Sequence, residues 1–142
     1  MLDQTCKYCT KGDDLTSIMI PICNVDGFPL YLFRNQSYRG RTILAYDDHV
    51  SKIAYMDEAI CARFYLAVRK VCIAIEKAFA PGQTNVGMYA DTVTHLHCHI
   101  VPKYEGGLDW SKTFQMNPQP EVLLTEAEYA GMIDQIKAAL NG

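Results

Sequence analysis

Three of the four histidines in this 142-residue chain lie at alternate positions of one short segment, as His95, His97 and His99. Because successive side chains of a β-strand point to opposite faces, a strand over residues 93–101 would place the three imidazoles on one face. Neighbouring imidazoles repel one another when charged, so the cluster indicates a bound metal or an anionic substrate. The pattern fits one catalytic metal ion bound by all three histidines. It also fits a site in which one histidine has a structural role and others act in covalent catalysis.

A second candidate site lies near the N-terminus, where Cys6 and Cys9 have the Cys-x-x-Cys spacing that lets two thiolates bind one ion. A redox pair with this spacing is expected ahead of a helix in a thioredoxin-like pattern, which Lys-Gly-Asp-Asp at 11–14 does not supply. A structural zinc ion needs four ligands, and the chain has no second Cys-x-x-Cys. Histidines must therefore complete any zinc site here.

Composition limits the class of protein. The length suits a single domain over residues 1–142. The net charge of -3 gives no electrostatic reason to expect nucleic-acid binding. No segment has the roughly 20 apolar residues that a bilayer crossing needs, and the N-terminus does not resemble a signal peptide. We therefore expect a cytoplasmic protein without a membrane partner, in which six cysteines do not imply disulfides.

The elements that must position these residues can be read from periodicity. Residues 17–22 and 28–33 predict a hairpin around Asp26-Gly27, and residues 41–46 predict a third strand that ends near His49. Apolar residues at three- and four-residue steps predict a long helix from Asp57 to Pro81. A short strand over 85–89 precedes the histidine strand, which Pro102 is expected to break. A capping box at Thr125 begins a final helix, and residues 108–120 have no clear pattern.

His95-Leu96-His97-Cys98-His99-Ile100-Val101, followed by Pro102-Lys103, resembles the signature of the histidine triad (HIT) superfamily of nucleotide hydrolases and transferases. The resemblance extends from Cys6 to Lys103. Gly40 before a strand that ends near His49, the long helix, and Asn85-x-Gly87 all follow in the family's order.

The resemblance implies an α+β fold with a mostly antiparallel five-stranded sheet, one long helix packed on it and a C-terminal helix. It also implies a homodimer. In zinc-bearing members two cysteines and two histidines bind one structural zinc ion. In this chain the matching residues are Cys6, Cys9, His49 and His95.

For function, the resemblance implies an enzyme that acts on nucleoside phosphoramidates or dinucleoside polyphosphates with a purine nucleotide-type substrate. His97 matches the nucleophile that forms a nucleotidyl-histidine. His99 matches the histidine that contacts the phosphate and helps to carry the proton. Asn85 and Thr92 match phosphate-contacting positions, and Tyr8 lies where an aromatic residue lines the base pocket.

Some positions depart from the family pattern. The Gly-Gln that usually precedes the motif is Ala90-Asp91, the usual Gly-His before the third strand is Gly40-Arg41, and the ribose-binding segment is shortened to residues 33–36. A carboxylate at Asp91 would repel a phosphate unless it is turned away or protonated. The changes at Asp91 and Arg41 are the best support for an alternative function, a nucleotide-binding or scaffold module without catalysis. A hydrolase with one catalytic metal on three histidines would leave Cys6, Cys9 and His49 without a role.

Overall fold

The computed structural model describes residues 2–142, and a five-stranded sheet forms its frame. Its strands are β1 (Met19–Val25), β2 (Phe28–Phe33), β3 (Thr42–Ala45), β4 (Gln83–Gly87) and β5 (His97–Lys103). They lie in the order β1-β2-β3-β5-β4, and every neighbouring pair is antiparallel. Asp26 and Gly27 form the predicted turn with φ values of 51° and 93°, the left-handed backbone that tight hairpins favour. The predicted α+β fold is confirmed.

Two long helices, α3 (Glu58–Phe79) and α4 (Glu126–Asn141), pack on one side of the sheet. The chain also has two short helices, α1 (Lys7–Thr10) and α2 (Asp13–Thr16), and a 3-10 turn at Ile53–Tyr55. The Asp57 carboxylate accepts the Ile60 N–H at 3.1 Å, and Thr125 forms a full capping box with Glu128. These side chains satisfy N–H groups that the first turn leaves free, so both helices begin where the sequence predicts.

The sheet has a core on each face. On one face, α3 and α4 bury Phe64, Ile75 and Ile136 against the β5 residues Cys98 and Ile100. On the other face, the N-terminal segment packs in a smaller cluster with β2 and β3. The members of that cluster are Cys6, Tyr8, Leu15, Met19, Tyr31, Phe33, Ile43 and Ala45. The alternation of β5 therefore directs His97 and His99 away from α3, towards the N-terminal segment.

The histidine segment is not a strand along its whole predicted length. β5 begins at His97, so His95 lies just before the strand. Its position is fixed by Leu96, whose N–H donates to the Val50 carbonyl at 2.8 Å and whose carbonyl accepts the Tyr46 N–H at 2.9 Å. The prediction of one strand over residues 93–101 with all three histidines was wrong at this end, because the strand begins four residues after the predicted start.

The other end of β5 also differs from the prediction, because the strand continues through Pro102 to Lys103. The pairing of β5 with β3 ends at Ile100. Beyond that residue, within residues 2–142, β5 pairs only with β4, as far as Lys103. A strand with one neighbour has no ladder partner for an N–H on its open side. It can therefore accommodate a proline, which lacks that donor.

An irregular segment connects β5 to α4 and lies against the sheet. Lys103 Nζ, buried with its side chain, donates to the Asp109 carbonyl at 2.7 Å and to the Lys112 carbonyl. The Tyr38 hydroxyl donates to the Asp109 carboxylate at 2.5 Å. These contacts give residues 108–120 a fixed course that the sequence did not predict.

Among the helices of residues 2–142, none combines the length and apolar character that a bilayer crossing requires. The cytoplasmic location and the single domain over residues 1–142 stay predictions.

Candidate active site and metal centre

Four side chains that were predicted to bind zinc converge from three parts of the chain. Cys6 and Cys9 come from the start and the body of α1, His49 follows β3, and His95 precedes β5. One ligand atom from each lies within 4.8 Å of the others. The Cys6 Sγ and Cys9 Sγ atoms lie 3.5 and 3.6 Å from His95 Nδ1, and Cys9 Sγ lies 3.5 Å from His49 Nδ1.

These distances fit a tetrahedral zinc ion. With Zn–S and Zn–N bonds of about 2.3 and 2.05 Å, tetrahedral geometry separates sulfur from nitrogen by about 3.6 Å. The tautomer of His95 also fits, because its Nε2 lies 2.7 Å from the Tyr46 carbonyl, which can only accept. Nε2 therefore carries the hydrogen, and the Nδ1 lone pair faces the sulfurs. The four residues form a site that can hold zinc, and the set leaves no open position for a reactive water.

His97 has one ring nitrogen fixed and one free. Its Nδ1–H donates to the His95 carbonyl at 2.7 Å, so the lone pair is on Nε2. The ring of Tyr8 stacks on it, with centroids 5.0 Å apart and planes 28° apart. Burial is the main reason that the pKa of His97 lies below its ordinary value, although the hydrogen bond to His95 opposes this shift. Neutral His97 is thus the form that this environment favours.

His99 lies beside His97 on the same face of β5, with ring centroids 4.9 Å apart. Its Nδ1 is 3.2 Å from a guanidinium nitrogen of Arg41. Burial, followed by the charges of His97 and Arg41, lowers the pKa of His99 to about 3. His99 is therefore neutral at physiological pH.

A cavity of about 340 Å³ opens over the two histidines. One wall is apolar and includes Tyr8, Ile18, Met19, Phe33 and Ile43. Polar groups are placed along the rest of the lining and include Lys7, Asp91, Thr92 and Asn117. An apolar wall with a few polar groups is the usual form of a small-molecule site. The free Nε2 of His97 is thus available to a ligand that combines a flat apolar part with a polar part.

The structure brings most of the predicted site residues to this cavity. Tyr8, Thr92, His97 and His99 line it. Asn85 lies in β4 opposite Val101, and among residues 2–142 it is not part of the lining.

The shortened segment after β2 is mostly structural. Gln36 donates to the Phe33 carbonyl at 2.6 Å and accepts the Gly40 N–H at 2.8 Å. Asn35 is buried and donates to the Pro118 carbonyl at 3.0 Å. These side chains stabilise the loop before β3, so their polar atoms are engaged with the backbone.

Sequence reasoning missed several cavity residues, among them Lys7, Met116 and Asn117. The position of Lys7 between the two cysteines was a usable signal, since a metal-binding turn beside the strand must bring its intervening residues close to the histidines. Met116 and Asn117 belong to the irregular segment, whose sequence has no periodicity from which a position could be predicted.

Comparison with known proteins gives one family. The model of the HIT domain matches residues 31–106, more than half of the chain. No curated protein matches the chain significantly.

Several solved structures share the fold. A histidine triad (HIT) protein from Sinorhizobium meliloti 1021 has a TM-score of 0.82 at 18% identity, with 90% of this chain and 94% of that chain covered. A histidine triad protein from Marinobacter aquaeolei VT8 also has a TM-score of 0.82 at 18% identity, with coverage of 92% and 94%. A Zn-bound histidine triad family protein from Mycobacterium smegmatis has a TM-score of 0.69 at 20% identity, with coverage of 96% and 94%.

Proposed function

This chain belongs to the HIT domain family, whose members are generally nucleotide-binding hydrolases and transferases, and on this premise we propose that it cleaves nucleotides through a nucleotidyl-histidine on His97. The observation that carries the proposal is the state of the His97 ring. Its Nδ1–H is held by the His95 carbonyl, so its free Nε2 lone pair is available in a cavity shared with His99. A neutral imidazole with a fixed ring is the form that attacks phosphorus.

In the first half of the reaction, the Nε2 lone pair of His97 forms a bond to the α-phosphorus. The bond from phosphorus to the leaving group breaks, and its electron pair departs with that group. The ring becomes positively charged, and the His95 carbonyl, 2.7 Å from Nδ1, stabilises this charge through a stronger hydrogen bond. In the second half, water attacks phosphorus, the P–N electron pair returns to Nε2, and the surplus proton passes to solvent.

The metal has a structural role in this proposal. Zinc would be held by Cys6, Cys9, His49 and His95, and its contribution when bound is to tie α1 to the segments before α3 and β5. Since the His95 carbonyl accepts from His97, a fixed His95 also keeps the nucleophile oriented.

The cavity suits a nucleotide. Tyr8 and the apolar wall with Phe33 and Ile43 would accommodate a purine-type base, since flat rings gain from apolar and aromatic contacts. Lys7 and Thr92 would contact the phosphates. Asn85 remains a predicted phosphate contact, although in this structure it would have to act from β4 at a distance from the cavity lining.

Steady-state hydrolysis by zinc-loaded protein tests the proposal, with diadenosine polyphosphates and an adenosine phosphoramidate as substrates. We expect turnover, and we expect His97→Ala to lose about 1,000-fold or more, as removal of a nucleophile commonly does. A matched control is His49→Cys, which exchanges one predicted zinc ligand for another and should keep most of the activity. Equal rates for His97→Ala and the unaltered protein would exclude His97 as the nucleophile.

Asp91 favours a second candidate, a nucleotide-binding module without catalysis. Asp91 belongs to the cavity lining, where a carboxylate directed at the ligand would repel an anionic reaction centre. Calorimetric binding of mononucleotides without turnover of any phosphate ester, polyphosphate or phosphoramidate would favour this candidate. In the enzyme, Asp91→Gln should raise kcat/KM because the repulsion is removed.

We propose in addition that the protein is a homodimer through α3 and the edge strand β4. Leu66 is 59% exposed, Val86 47% and Tyr65 45%, a set of large apolar side chains of the kind that subunit interfaces cover. Light scattering should give twice the mass of the chain, and Leu66→Glu should shift it towards the monomer. A monomer at micromolar concentration would contradict this proposal.

A further inference from the structure

A buried arginine stands behind the catalytic histidines without an acidic partner. Arg41 has no exposed surface, and no carboxylate of residues 2–142 lies within ion-pair distance of it. Its Nη1 donates to the Met116 carbonyl at 2.9 Å, and its guanidinium lies 4.1 Å from the centre of the Phe33 ring. Burial lowers the pKa of Arg41 to about 10, still well above neutrality. A charged group in this environment is costly, which indicates a function.

The contact between Arg41 and His99 fixes the position of a proton. Arginine has only N–H donors, so the 3.2 Å contact between Nη2 and His99 Nδ1 must be a hydrogen bond accepted by the nitrogen lone pair. The single proton of neutral His99 is therefore on Nε2. His97 has the opposite tautomer, because the His95 carbonyl requires a hydrogen on Nδ1.

The two adjacent imidazoles consequently offer different groups to the cavity, a lone pair on His97 and an N–H on His99. A neutral imidazole that loses its last proton becomes an anion, so His99 can donate a hydrogen bond but has no proton to give away. Because Arg41 has no exposed surface, it reaches a ligand only through His99.

We propose that Arg41 is a positioning residue that fixes His99 as a neutral Nε2–H donor, and that the site therefore prefers substrates whose leaving group departs as a phosphate anion. The inference rests on the proposed function. It replaces the role of proton carrier that family resemblance gives to His99.

The leaving group explains why a dinucleoside polyphosphate should be preferred over a phosphoramidate. When His97 attacks a dinucleoside polyphosphate, the P–O bond breaks and the electron pair leaves on a phosphate oxygen, which is stable as an anion. When it attacks a phosphoramidate, the P–N bond breaks and the amine must gain a proton as it leaves. A general acid commonly contributes about 100-fold or more to such a step, and in this site neither His97 nor His99 can supply that proton.

The tautomer can be measured without any activity. Long-range nitrogen–proton NMR of the zinc-loaded protein, with histidine nitrogens labelled, distinguishes a protonated ring nitrogen from one with a lone pair. We expect His99 to have a hydrogen on Nε2 and a hydrogen-bonded lone pair on Nδ1 at neutral pH. Arg41→Met should mix the two tautomers, and Arg41→Lys, which keeps a cationic donor, should restore part of the original signal. An unaltered protein with the hydrogen on His99 Nδ1, or with a doubly protonated ring, would overturn the inference.

The substrate preference is measured as the ratio of kcat/KM for diadenosine polyphosphate to that for adenosine phosphoramidate. We expect a ratio of about 100 or more in the unaltered protein, the contribution of the missing acid. Arg41→Met should lower this ratio, whereas Arg39→Met, the same change at an exposed neighbour, should leave it unaltered. A ratio below one would overturn the inference. If neither substrate turns over, the proposed function and the substrate preference both fail. The NMR measurement of the His99 tautomer then decides by itself whether Arg41 is a positioning residue.

Discussion

Removing one zinc ligand should lower the free energy of unfolding by an amount that depends on how many residues separate the ligands along the chain. A metal bound by all four residues cross-links Cys9 to His49, 40 residues apart, and Cys6 to His95, 89 residues apart. In the chain-entropy model, closing a loop of 40 residues contributes about 4 kcal/mol, and a loop of 89 residues slightly more. The loops overlap and the variant keeps three ligands, so we expect Cys9→Ala to lower the free energy of unfolding by about 3 kcal/mol.

The assay is thermal unfolding of the zinc-loaded protein with and without a chelator. A loss of 3 kcal/mol corresponds to a fall in Tm of about 10 °C for a chain of this length. The chelator should lower the Tm of the unaltered protein by at least this amount and should lower the Tm of Cys9→Ala by less, because that variant has only three ligands left. Cys61→Ala, in α3 away from the cluster, is the matched control and should respond to the chelator like the unaltered protein. Identical Tm values with and without the chelator would refute a structural metal.

Three further predictions concern single side chains. Burial holds His99 neutral with a pKa near 3, so below about pH 6.5 the unfolded chain binds a proton that the folded chain does not. The free energy of unfolding in urea should therefore fall by up to about 1.4 kcal/mol per pH unit below that value. His99→Gln should remove this part of the slope, and an unaltered slope would contradict the burial of a neutral ring. Tyr8→Phe should leave kcat/KM near its original value because the stack on His97 survives, whereas Tyr8→Ala should lower it about fivefold through loss of a stack worth about 1 kcal/mol; equal effects would show that the ring is not what matters. Phe64→Ala, at a fully buried ring that packs edge-on against Phe28, should cost about 3 to 5 kcal/mol in urea unfolding, and a cost below about 1 kcal/mol would contradict its place in the core.

Local patterns predicted the parts of the site that depend on nearby residues. The two-residue period of a strand gave the shared face of His97 and His99, and the cysteine spacing gave half of the metal site. The other half, His49 and His95, depended on family resemblance, since their distance from Cys9 along the chain is 40 and 86 residues.

Features that depend on distant contacts could not be predicted. The continuation of β5 through Pro102 depends on which strands flank it. The contact of Arg41 with His99 joins residues 58 apart and needs the carbonyl of Met116 from a segment without periodicity. A buried cation leaves no signal in sequence alone, because most arginines lie at the surface.

The most direct test of the proposed function is intact-mass spectrometry during single turnover, with zinc-loaded protein in excess over diadenosine polyphosphate and a quench that avoids acid. We expect a transient mass increase of one adenylyl group, mapped by fragmentation to His97 and missing from His97→Ala. Turnover without any adduct, or an adduct on a different residue, would contradict His97 as the nucleophile.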